Sequence, residues 1–311
     1  MDEIDVRIIE LLKRDARTSY VDLGAAVGLS PDSARQRMVK LIEAEELRIL
    51  GVLEPEALGY NLLANVNIRF RGDPSDFAEA MRPFERVTFI ASTIGRTNIF
   101  CEVAAEHDGQ LADFIATHIA TVPGVQAFET SRLVDVVKWK GLGWREPTES
   151  SSTNVDSRTL DETDLKILRV LLFDPRIKLT KLAERIDCPY PTTRRRVAAL
   201  FDQGTIDAVA VTERVVPGRE ALAMVLLSEA SGRAWEAGLA DLPGVNIASR
   251  SLGAYAGLLE VSADSPHQLV DVVDRISSLS GVTVAETLVF ARSLVLPVSW
   301  RFPARRRYTT V

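Results

Sequence analysis

The sequence predicts an α+β protein built from two copies of one unit, each a helix-turn-helix domain followed by a ferredoxin-like βαββαβ domain. Three observations support this fold class. The chain repeats itself at an offset of 159, which places Leu160–Asp164 on Met1–Asp5. Each copy opens with short amphipathic helical patterns and then changes to alternating strand patterns. The offset is far longer than the roughly 20 to 50 residues of a solenoid repeat, so it indicates paired domains.

The composition excludes several classes of protein. A hydrophobic share of 46% with 26% charged residues is typical of a soluble globular chain of 311 residues. The sequence contains no long apolar window, and its first residues are acidic, so we expect a cytoplasmic protein without membrane contact. Cys101 and Cys188 stand at non-equivalent positions and are predicted to fill core space. We expect no metal and no cofactor.

The first copy begins with a helix-turn-helix pattern. A helix announced by Asp2 or Glu3 is followed by a capping box at Ser19–Asp22, whose helix stops at Val27 before Gly28. Ser30 and Pro31 then start a third helix after very few residues. Two helices joined so closely must cross steeply, which is the helix-turn-helix arrangement. The extended segment at 47–52 is a candidate wing.

The third helix carries the first set of candidate DNA contacts. Its polar stripe is a solvated face on the simplest interpretation, but the second helix of a helix-turn-helix enters the major groove. Arginine and glutamine also suit the edges of guanine and adenine. The candidate residues are Ser33, Arg35, Gln36, Arg37 and Lys40.

The second copy keeps the layout and changes the chemistry. Pro189 and Pro191 stiffen its turn and predict a helix start near Pro191 or Thr192. Residues 160–210 hold nine Lys/Arg against eight Asp/Glu, whereas residues 1–50 hold eight against ten. The second copy is therefore the better candidate for binding phosphate. Its candidate DNA contacts are Thr192, Arg194, Arg195 and Arg196.

Each copy continues in the order strand, helix, strand, strand, helix, strand, which is the ferredoxin-like arrangement. The first set lies at 62–70, 74–81, 87–94, 99–104, 108–121 and 125–137, and the second at 221–228, 232–240, 245–252, 255–262, 266–279 and 282–295. The predicted domains are 1–60, 61–142, 160–218 and 219–300. A Ser/Thr-rich linker is predicted at 143–159 and a basic tail at 301–311.

These residues together resemble the Lrp/AsnC, or feast/famine, transcription regulators over nearly the whole chain. The resemblance is carried by the Asp-Glu-x-Asp helix start, the helix-turn-helix and the Pro-Gly-Val turn at 123–125. It implies two winged helix-turn-helix domains that bind double-stranded DNA, and two RAM/ACT-like domains for effector binding and self-association. Ordinary members dimerise as single units, so this chain is expected to be a covalent pseudo-dimer.

The resemblance also places an effector site at the loop after the second strand of each βαββαβ domain, where the family pattern is Gly-x-x-Asp. The loops here read Gly95-Arg96-Thr97-Asn98 and Gly253-Ala254-Tyr255-Ala256, without the aspartate. An amino-acid ammonium would lose its counter-ion there, which argues against a free amino acid as effector. The candidate effector residues are Gly95, Asn98, Gly253 and Tyr255; the alternative is that both glycines only shape turns.

The preferred function is a transcription regulator that reads two unlike half-sites and answers to a small-molecule effector. Two alternatives remain open. The same two-domain unit is similar to the sirohaem decarboxylases, whose chemistry needs cationic or histidine groups in a cavity. His107, His118 and His267 all fall on or beside predicted helices, and no glycine-rich phosphate loop, Cys/His metal cluster or catalytic triad is evident, so we expect no enzyme. The third alternative is a scaffold that has lost DNA binding.

Overall fold

The computed structural model describes residues 1–44, 46–139, 160–211, 221–230, 235, 238–239, 242–295 and 299–300. These residues form two compact units. One unit contains residues 1–58 together with 160–211 and 299–300, and the other contains 59–139 together with 221–295. The predicted linker and basic tail lie outside the described residues, and the predicted domain boundaries remain predictions.

The elements of the described residues follow the predicted order. The helices are α1 Glu3–Arg14, α2 Tyr20–Val27, α3 Pro31–Glu43, α4 Pro74–Met81, α5 Asp108–Phe114, α6 Glu162–Phe173, α7 Leu179–Arg185, α8 Tyr190–Asp202 and α9 Pro266–Ser277. A π-helical turn, Ile115–Ile119, extends α5. The strands are β1 Arg48–Leu53, β2 Leu62–Phe70, β3 Val87–Ile94, β4 Ile99–Ala105, β5 Val125–Trp139, β6 Ile206–Val211, β7 Ala221–Ala230, β8 Val245–Gly253, β9 Gly257–Ala263, β10 Val282–Val295 and β11 Ser299–Trp300.

The first unit joins the two helix-turn-helix modules through one sheet. Strand β1 of the first module pairs antiparallel with β6 of the second, with Leu50 opposite Val209, and β11 adds to β1 in parallel. The segment predicted as a wing is thus a strand paired with the other module. Ala208 and Ala210 of β6 complete the hydrophobic core of α1, α2 and α3. The two modules therefore share a core as well as a sheet.

The second unit is a closed eight-stranded barrel in the order β10-β3-β4-β2-β5-β8-β9-β7. The first βαββαβ half supplies β2 to β5, and the second supplies β7 to β10. The long strands β5 and β10 close the barrel by pairing with β8 and β3 of the opposite half. Closure removes the unpaired edges that two separate sheets would expose.

Side chains alternate along each strand between an outer face, which packs against the helices, and a face that points into the barrel. In β2, residues 62, 64, 66, 68 and 70 pack with α4 and α5 in one hydrophobic core. The intervening residues, Asn65 and Asn67 among them, therefore face the interior of the barrel. A second core of the same kind joins α9 to β7, β8 and β9, and it contains the fully buried Trp235.

Several local predictions can be compared with the structure. The α+β class is confirmed, and so is the βαββαβ order of the first copy. The helix after the two prolines begins at Tyr190 with Pro189 as its N-cap, so the predicted later start was wrong by one or two residues. Pro191 fits there because a proline in the first turn needs no hydrogen-bonded N–H. Most of the helix predicted at 232–240 lies outside the described residues.

Cys101 is fully buried in the first barrel core, whereas Cys188 is half-buried, and both are free thiols. Burial raises the pKa of the Cys101 thiol far above its usual range. Within the part of the chain that the structure describes, no helix is long and apolar enough to cross a membrane. The same residues contain no group of three or more His, Cys, Asp or Glu side chains arranged to hold a metal ion.

Candidate nucleic-acid interface and effector region

Helix α3 presents most of the first predicted DNA contacts to solvent. The Ser30 side chain caps the helix by accepting a hydrogen bond from the Ser33 N–H, and Pro31 occupies the first turn. Ala34, Met38 and Leu41 bury the opposite face in the module core. This packing leaves the following predicted residues exposed: Ser33, Arg35, Gln36 and Lys40.

Arg37, the fifth predicted contact on α3, is held by two carboxylates of α1. Its Nη1 atom lies 2.7 Å from Asp2 Oδ2 and 2.9 Å from Asp5 Oδ1, and its side chain is 32% exposed. Asp2 and Asp5 also form the capping box of α1. The hydrogen bond from Arg37 is the largest of the causes that lower the pKa of Asp2. We call this group the first arginine clamp; it fixes α3 against the start of α1.

Helix α8 has a more basic exposed face. Arg194 and Arg195 are exposed, Thr192 is half-buried, and Thr193 is buried with its hydroxyl directed at the carbonyls of Cys188 and Pro189. Val197 and Leu200 bury the opposite side. The two adjacent exposed guanidiniums distinguish α8 from α3, where Arg35 is followed by Gln36.

Arg196 repeats the role of Arg37 in the second module. Its Nη1 atom lies 2.7 Å from Asp161 Oδ2 and 2.9 Å from Asp164 Oδ1, and its side chain is 27% exposed. Asp161 and Asp164 form the capping box of α6, as Asp2 and Asp5 do for α1. In this second arginine clamp, a residue predicted to contact DNA forms ion pairs within its own module. Direct DNA contact by Arg37 or Arg196 remains a prediction.

The loops before α2 and α7 contact the opposite modules. Arg17 places its guanidinium 3.7 Å from the centre of the Phe201 ring on α8. Arg176, the equivalent residue, donates from Nη1 to the carbonyl oxygens of Ala16 and Thr18 at 2.7 and 2.9 Å. These contacts, together with the β1–β6 ladder, hold α3 and α8 in one body.

The predicted effector residues lie in the barrel unit, where each loop reaches the opposite half. A Cβ on Gly95 would approach Leu288 and Glu286 of β10, and one on Gly253 would meet the Thr130 carbonyl of β5 at 2.2 Å. Asn98 is used structurally, since its side-chain amide exchanges two hydrogen bonds with the Phe70 backbone at 2.7 and 2.9 Å. Its part in binding an effector stays a prediction.

Tyr255 joins a charged cluster that the sequence alone did not indicate. Arg96 makes a two-pronged contact with Glu129 at 2.7 and 2.6 Å and donates from Nη2 to the Tyr255 hydroxyl at 2.8 Å. The Arg96 backbone N–H also donates to Glu286 Oε1 at 2.7 Å. Arg96 holds the pKa of Glu129 below its usual range, while burial and Glu129 raise the pKa of Tyr255 to about 12.

One signal could have located this cluster. Glu129 and Glu286 each stand five residues after the glycine of an equivalent turn, Gly124 and Gly281. Arg96 has no counterpart at Ala254, and only closure of the barrel brings it to both glutamates. Its importance therefore could not be inferred from the spacing within one half.

The three histidines occupy ordinary surface or packing positions. His107 is exposed and caps α5 by accepting from the Gln110 N–H. His118 packs beside Phe84 and Phe114, with ring centroids 4.5 and 5.2 Å away. His267 lies exposed in the first turn of α9. All three lie on or beside helices, as the sequence predicted.

The fold and this interface define a class of protein, a pair of helix-turn-helix modules combined with an α+β barrel. A family model described as the AsnC-type helix-turn-helix domain matches the chain twice, at residues 1–42 and 160–200. A second model, described as a C-terminal dimeric alpha+beta barrel domain, matches residues 73–143. The first model's two matches lie within the first unit, and the second model's match covers most of the first half of the barrel unit.

Curated relatives place the chain within that class. The HTH-type transcriptional regulator LrpA of Pyrococcus horikoshii is 30% identical over 131 residues, which are 40% of this chain and 90% of the relative. The HTH-type transcriptional regulator FL11 of Pyrococcus abyssi is 28% identical over 132 residues, which are 42% of this chain and 87% of the relative. The chain belongs to the Lrp/AsnC family. Each of these two relatives matches less than half of the chain.

A solved structure resembles the whole chain. The siroheme decarboxylase NirDL covers 96% of this chain with 94% of its own length, at a TM-score of 0.60 and 16% identity. This likeness shows that the two proteins share a fold.

Proposed function

We propose that the chain is a sequence-specific transcription regulator whose helices α3 and α8 read two unlike half-sites of double-stranded DNA. The observation that carries this proposal is the first unit itself, where two helix-turn-helix modules with different exposed side chains share one sheet and one core. Membership of a family that includes named transcriptional regulators supports it.

The exposed side chains on the two helices favour different readings of the bases. On α3, Arg35 and Gln36 offer one arginine for guanine and one amide for adenine. On α8, Arg194 and Arg195 offer two guanidiniums, suited to guanine or to phosphate. We assign Arg37 and Arg196 a positioning role, since each is engaged with two carboxylates of its own module. Two unlike helices call for an operator without internal symmetry.

The geometry of B-form DNA limits the spacing of the half-sites. Two helices that enter successive major grooves on one side of the duplex require half-sites about one helical turn apart, or a multiple of it. Because α3 and α8 belong to one chain, each molecule brings one copy of each helix and engages one half-site of each kind. Self-association through the barrel unit, as the family suggests, would add further pairs of half-sites.

Fluorescence anisotropy with DNA from upstream of the protein's own gene tests the proposal. The variant Arg194→Ala/Arg195→Ala should weaken binding at least about tenfold, because a good arginine–base contact is worth about 1–3 kcal/mol. The matched control Arg71→Ala/Arg275→Ala removes two exposed arginines of the barrel unit and should leave affinity nearly unchanged. Equal losses in both variants, or equal affinity for scrambled DNA, would remove the basis of the proposal.

An effector at the Gly95 and Gly253 loops is part of the same proposal. Arg96 already supplies a cation between Glu129 and Glu286, so a ligand ammonium would have to compete with an internal guanidinium. We therefore infer that free amino acids do not act as effectors. Titration calorimetry with a panel of amino acids should give no saturable heat, whereas saturable binding abolished by Tyr255→Phe would reverse this inference.

The two alternative functions give different results in the same preparation. A tetrapyrrole enzyme of the kind whose fold the chain shares should bind an iron porphyrin and show a Soret band, yet the three histidines lie outside the barrel interior. For a scaffold without specific DNA binding, reversing the charge of the exposed Arg194 and Arg195 should leave the DNA signal unchanged. A clean spectrum with sequence-dependent DNA binding supports the regulator.

A further inference from the structure

We propose that the interior of the barrel binds a small uncharged molecule that combines an amide-like hydrogen-bonding group with an apolar ring. Asn65 and Asn67 on β2 would supply the polar contacts. This proposal concerns the barrel unit and does not depend on the proposed DNA-binding function.

The first observation is that both asparagines are buried and that three of their four side-chain polar atoms lack a hydrogen-bond partner within the described residues. Asn67 is 1% exposed and Asn65 is 4% exposed. Neither the oxygen nor the nitrogen of the Asn67 side-chain amide has a hydrogen-bond partner in the described part of the chain, and the Asn65 oxygen also lacks one. Buried amide groups in native proteins are almost always satisfied, because leaving them unpaired is costly. We therefore infer that atoms from outside the described residues meet these groups.

The second observation is the direction in which these side chains point. Their neighbours on β2, Ala64, Val66 and Ile68, pack under the outer helices. Asn65 and Asn67 alternate with these residues and consequently face inward. Strand β7, which lies farthest from β2 around the barrel, has Met224 and Leu226 at the equivalent positions. The interior is thus polar along one wall and apolar along the opposite one.

Aromatic side chains lie next to the asparagines on the same inward face. Phe100 on β4 is the cross-strand partner of Asn67. Its ring lies 5.9 Å from that of Phe89 and 5.4 Å from that of Phe290, measured between centroids, and the Phe89 and Phe290 rings are 5.7 Å apart. Cross-strand neighbours have side chains about 5 Å apart. One small molecule can therefore place its amide against Asn67 and its ring against the three aromatic side chains.

The charges around the asparagines favour an uncharged ligand. Glu102 stands opposite Asn65 on β4, and Glu129 stands opposite Asn67 on β5. Two carboxylates would repel an anion. Glu129 is already paired with Arg96, and Glu102 accepts a hydrogen bond from Thr88, so neither requires a ligand cation. Amides donate and accept without charge and match both atoms of the Asn67 side chain.

Benzamide is a direct probe of this site, because it carries both a ring and a carboxamide. Isothermal calorimetry and thermal unfolding of the full chain should show saturable benzamide binding. Toluene and acetamide each lack one half of the probe and should bind at least about tenfold more weakly, since each leaves either the amides or the rings unmatched. Native mass spectrometry of the purified protein should show a bound small molecule.

Asn67→Leu tests the named contact by introducing the residue that β7 carries at the equivalent position. We expect benzamide affinity to fall about tenfold or more with loss of the hydrogen bonds. Asn61→Leu is the matched control, since it makes the same replacement at an exposed position just before β2 and should leave affinity unchanged. If Asn67→Leu does not fold, Asn67→Ser keeps a polar group and still removes the amide. Equal benzamide affinity in wild type and variant, or no benzamide binding with no co-purified molecule, would show that water alone satisfies the asparagines and overturn the proposal.

Discussion

The two helix-turn-helix modules agree where they are packed and differ where they are exposed. Both hold the third helix with an arginine clamp, Arg37 in the first module and Arg196 in the second, at nearly the same distances. The exposed faces beside these arginines are different, with Gln36 in α3 and Arg195 in α8 at equivalent positions. Each clamp ties the third helix of its module to the start of the first helix, and both copies have it, while the exposed positions beside it differ.

The two modules also differ at the interface between them, because equivalent residues make different contacts there. Gly51 in β1 lies against the α6 backbone, whereas its equivalent in β6 is Ala210. Arg17 stacks on an aromatic ring, whereas Arg176 binds two carbonyl groups. The pairing of modules is therefore only approximately symmetric, and single substitutions at equivalent sites should have unequal effects.

The largest expected effect is on half-site discrimination. Arg35→Ala/Gln36→Ala should remove the preference for one half-site, and Arg194→Ala/Arg195→Ala should remove the preference for the other. In each case the ratio of affinities for the intact and the scrambled half-site should fall by about tenfold to a hundredfold. The measurement is anisotropy on operators in which one half-site at a time is scrambled. If both variants lose discrimination at the same half-site, the two helices do not read separate sequences.

Gly51→Ala should be the most destabilising of the changes at the module interface. The added Cβ would lie 2.5 Å from the Leu171 carbonyl oxygen and 2.7 Å from the Leu172 Cα, so backbone must move. We expect a loss of about 2 kcal/mol in the free energy of unfolding. The reciprocal control Ala210→Gly removes one methyl group and should cost only about 0.5–1 kcal/mol. Urea denaturation measures both, and equal losses would show that the interface is symmetric after all.

Replacing the two interface arginines should give unequal losses of stability. Arg176→Met removes charge-assisted hydrogen bonds to the carbonyls of Ala16 and Thr18 and should cost about 1.5 kcal/mol. Arg17→Met keeps an apolar contact with Phe201 and loses an exposed cation–π interaction worth about 0.5–1 kcal/mol. Thermal unfolding of the two variants side by side checks the ranking, which an equal or reversed order would contradict.

The smallest expected effect concerns acid stability, where the two modules should behave alike. In the folded chain, the hydrogen bond from Arg37 is the main cause that lowers the pKa of Asp2 below the ordinary value of 3.8. The pKa of Asp161 is lowered first by the hydrogen bond from the Asp164 backbone N–H and next by that from Arg196. Their stabilising contribution is therefore complete well above pH 4 and is lost as the pH falls through the lowered values. Arg37→Gln/Arg196→Gln should flatten the fall in urea midpoint between about pH 5 and pH 2.5. An unchanged pH profile in the double variant would show that the clamps do not couple folding to pH.

Much of the fold could be predicted because it depends on local patterns. The capping residues Asp2, Ser19 and Ser30 and the stop at Gly28 set helix ends through contacts within a few residues. The strands β2 and β3 have the predicted bounds because their apolar periodicity is strong. The start of α8 was misplaced because two prolines so close together allow more than one position for the first helical turn.

The candidate site was predictable only in part, because some of its contacts depend on tertiary structure and not on local patterns. Exposed Arg194 and Arg195 follow from helical spacing, but spacing cannot show that Arg196, one residue further, is paired with Asp161 and Asp164. That pairing depends on where α6 lies in the module. Likewise, spacing cannot show that the Asn98 amide exchanges hydrogen bonds with the Phe70 backbone, and its part in binding an effector stays a prediction.

The sequence by itself determined the duplication, the order of elements and the family, because each depends on residue identity and short-range spacing. Tertiary structure alone decided that β1 pairs with β6, that eight strands close into one barrel, and that the Asn67 amide and the Asn65 side-chain oxygen meet no hydrogen-bond partner among the described residues. Those outcomes depend on contacts between residues far apart in the chain. Strand pairing uses backbone groups that every residue shares, so its partners cannot be identified from side-chain patterns alone.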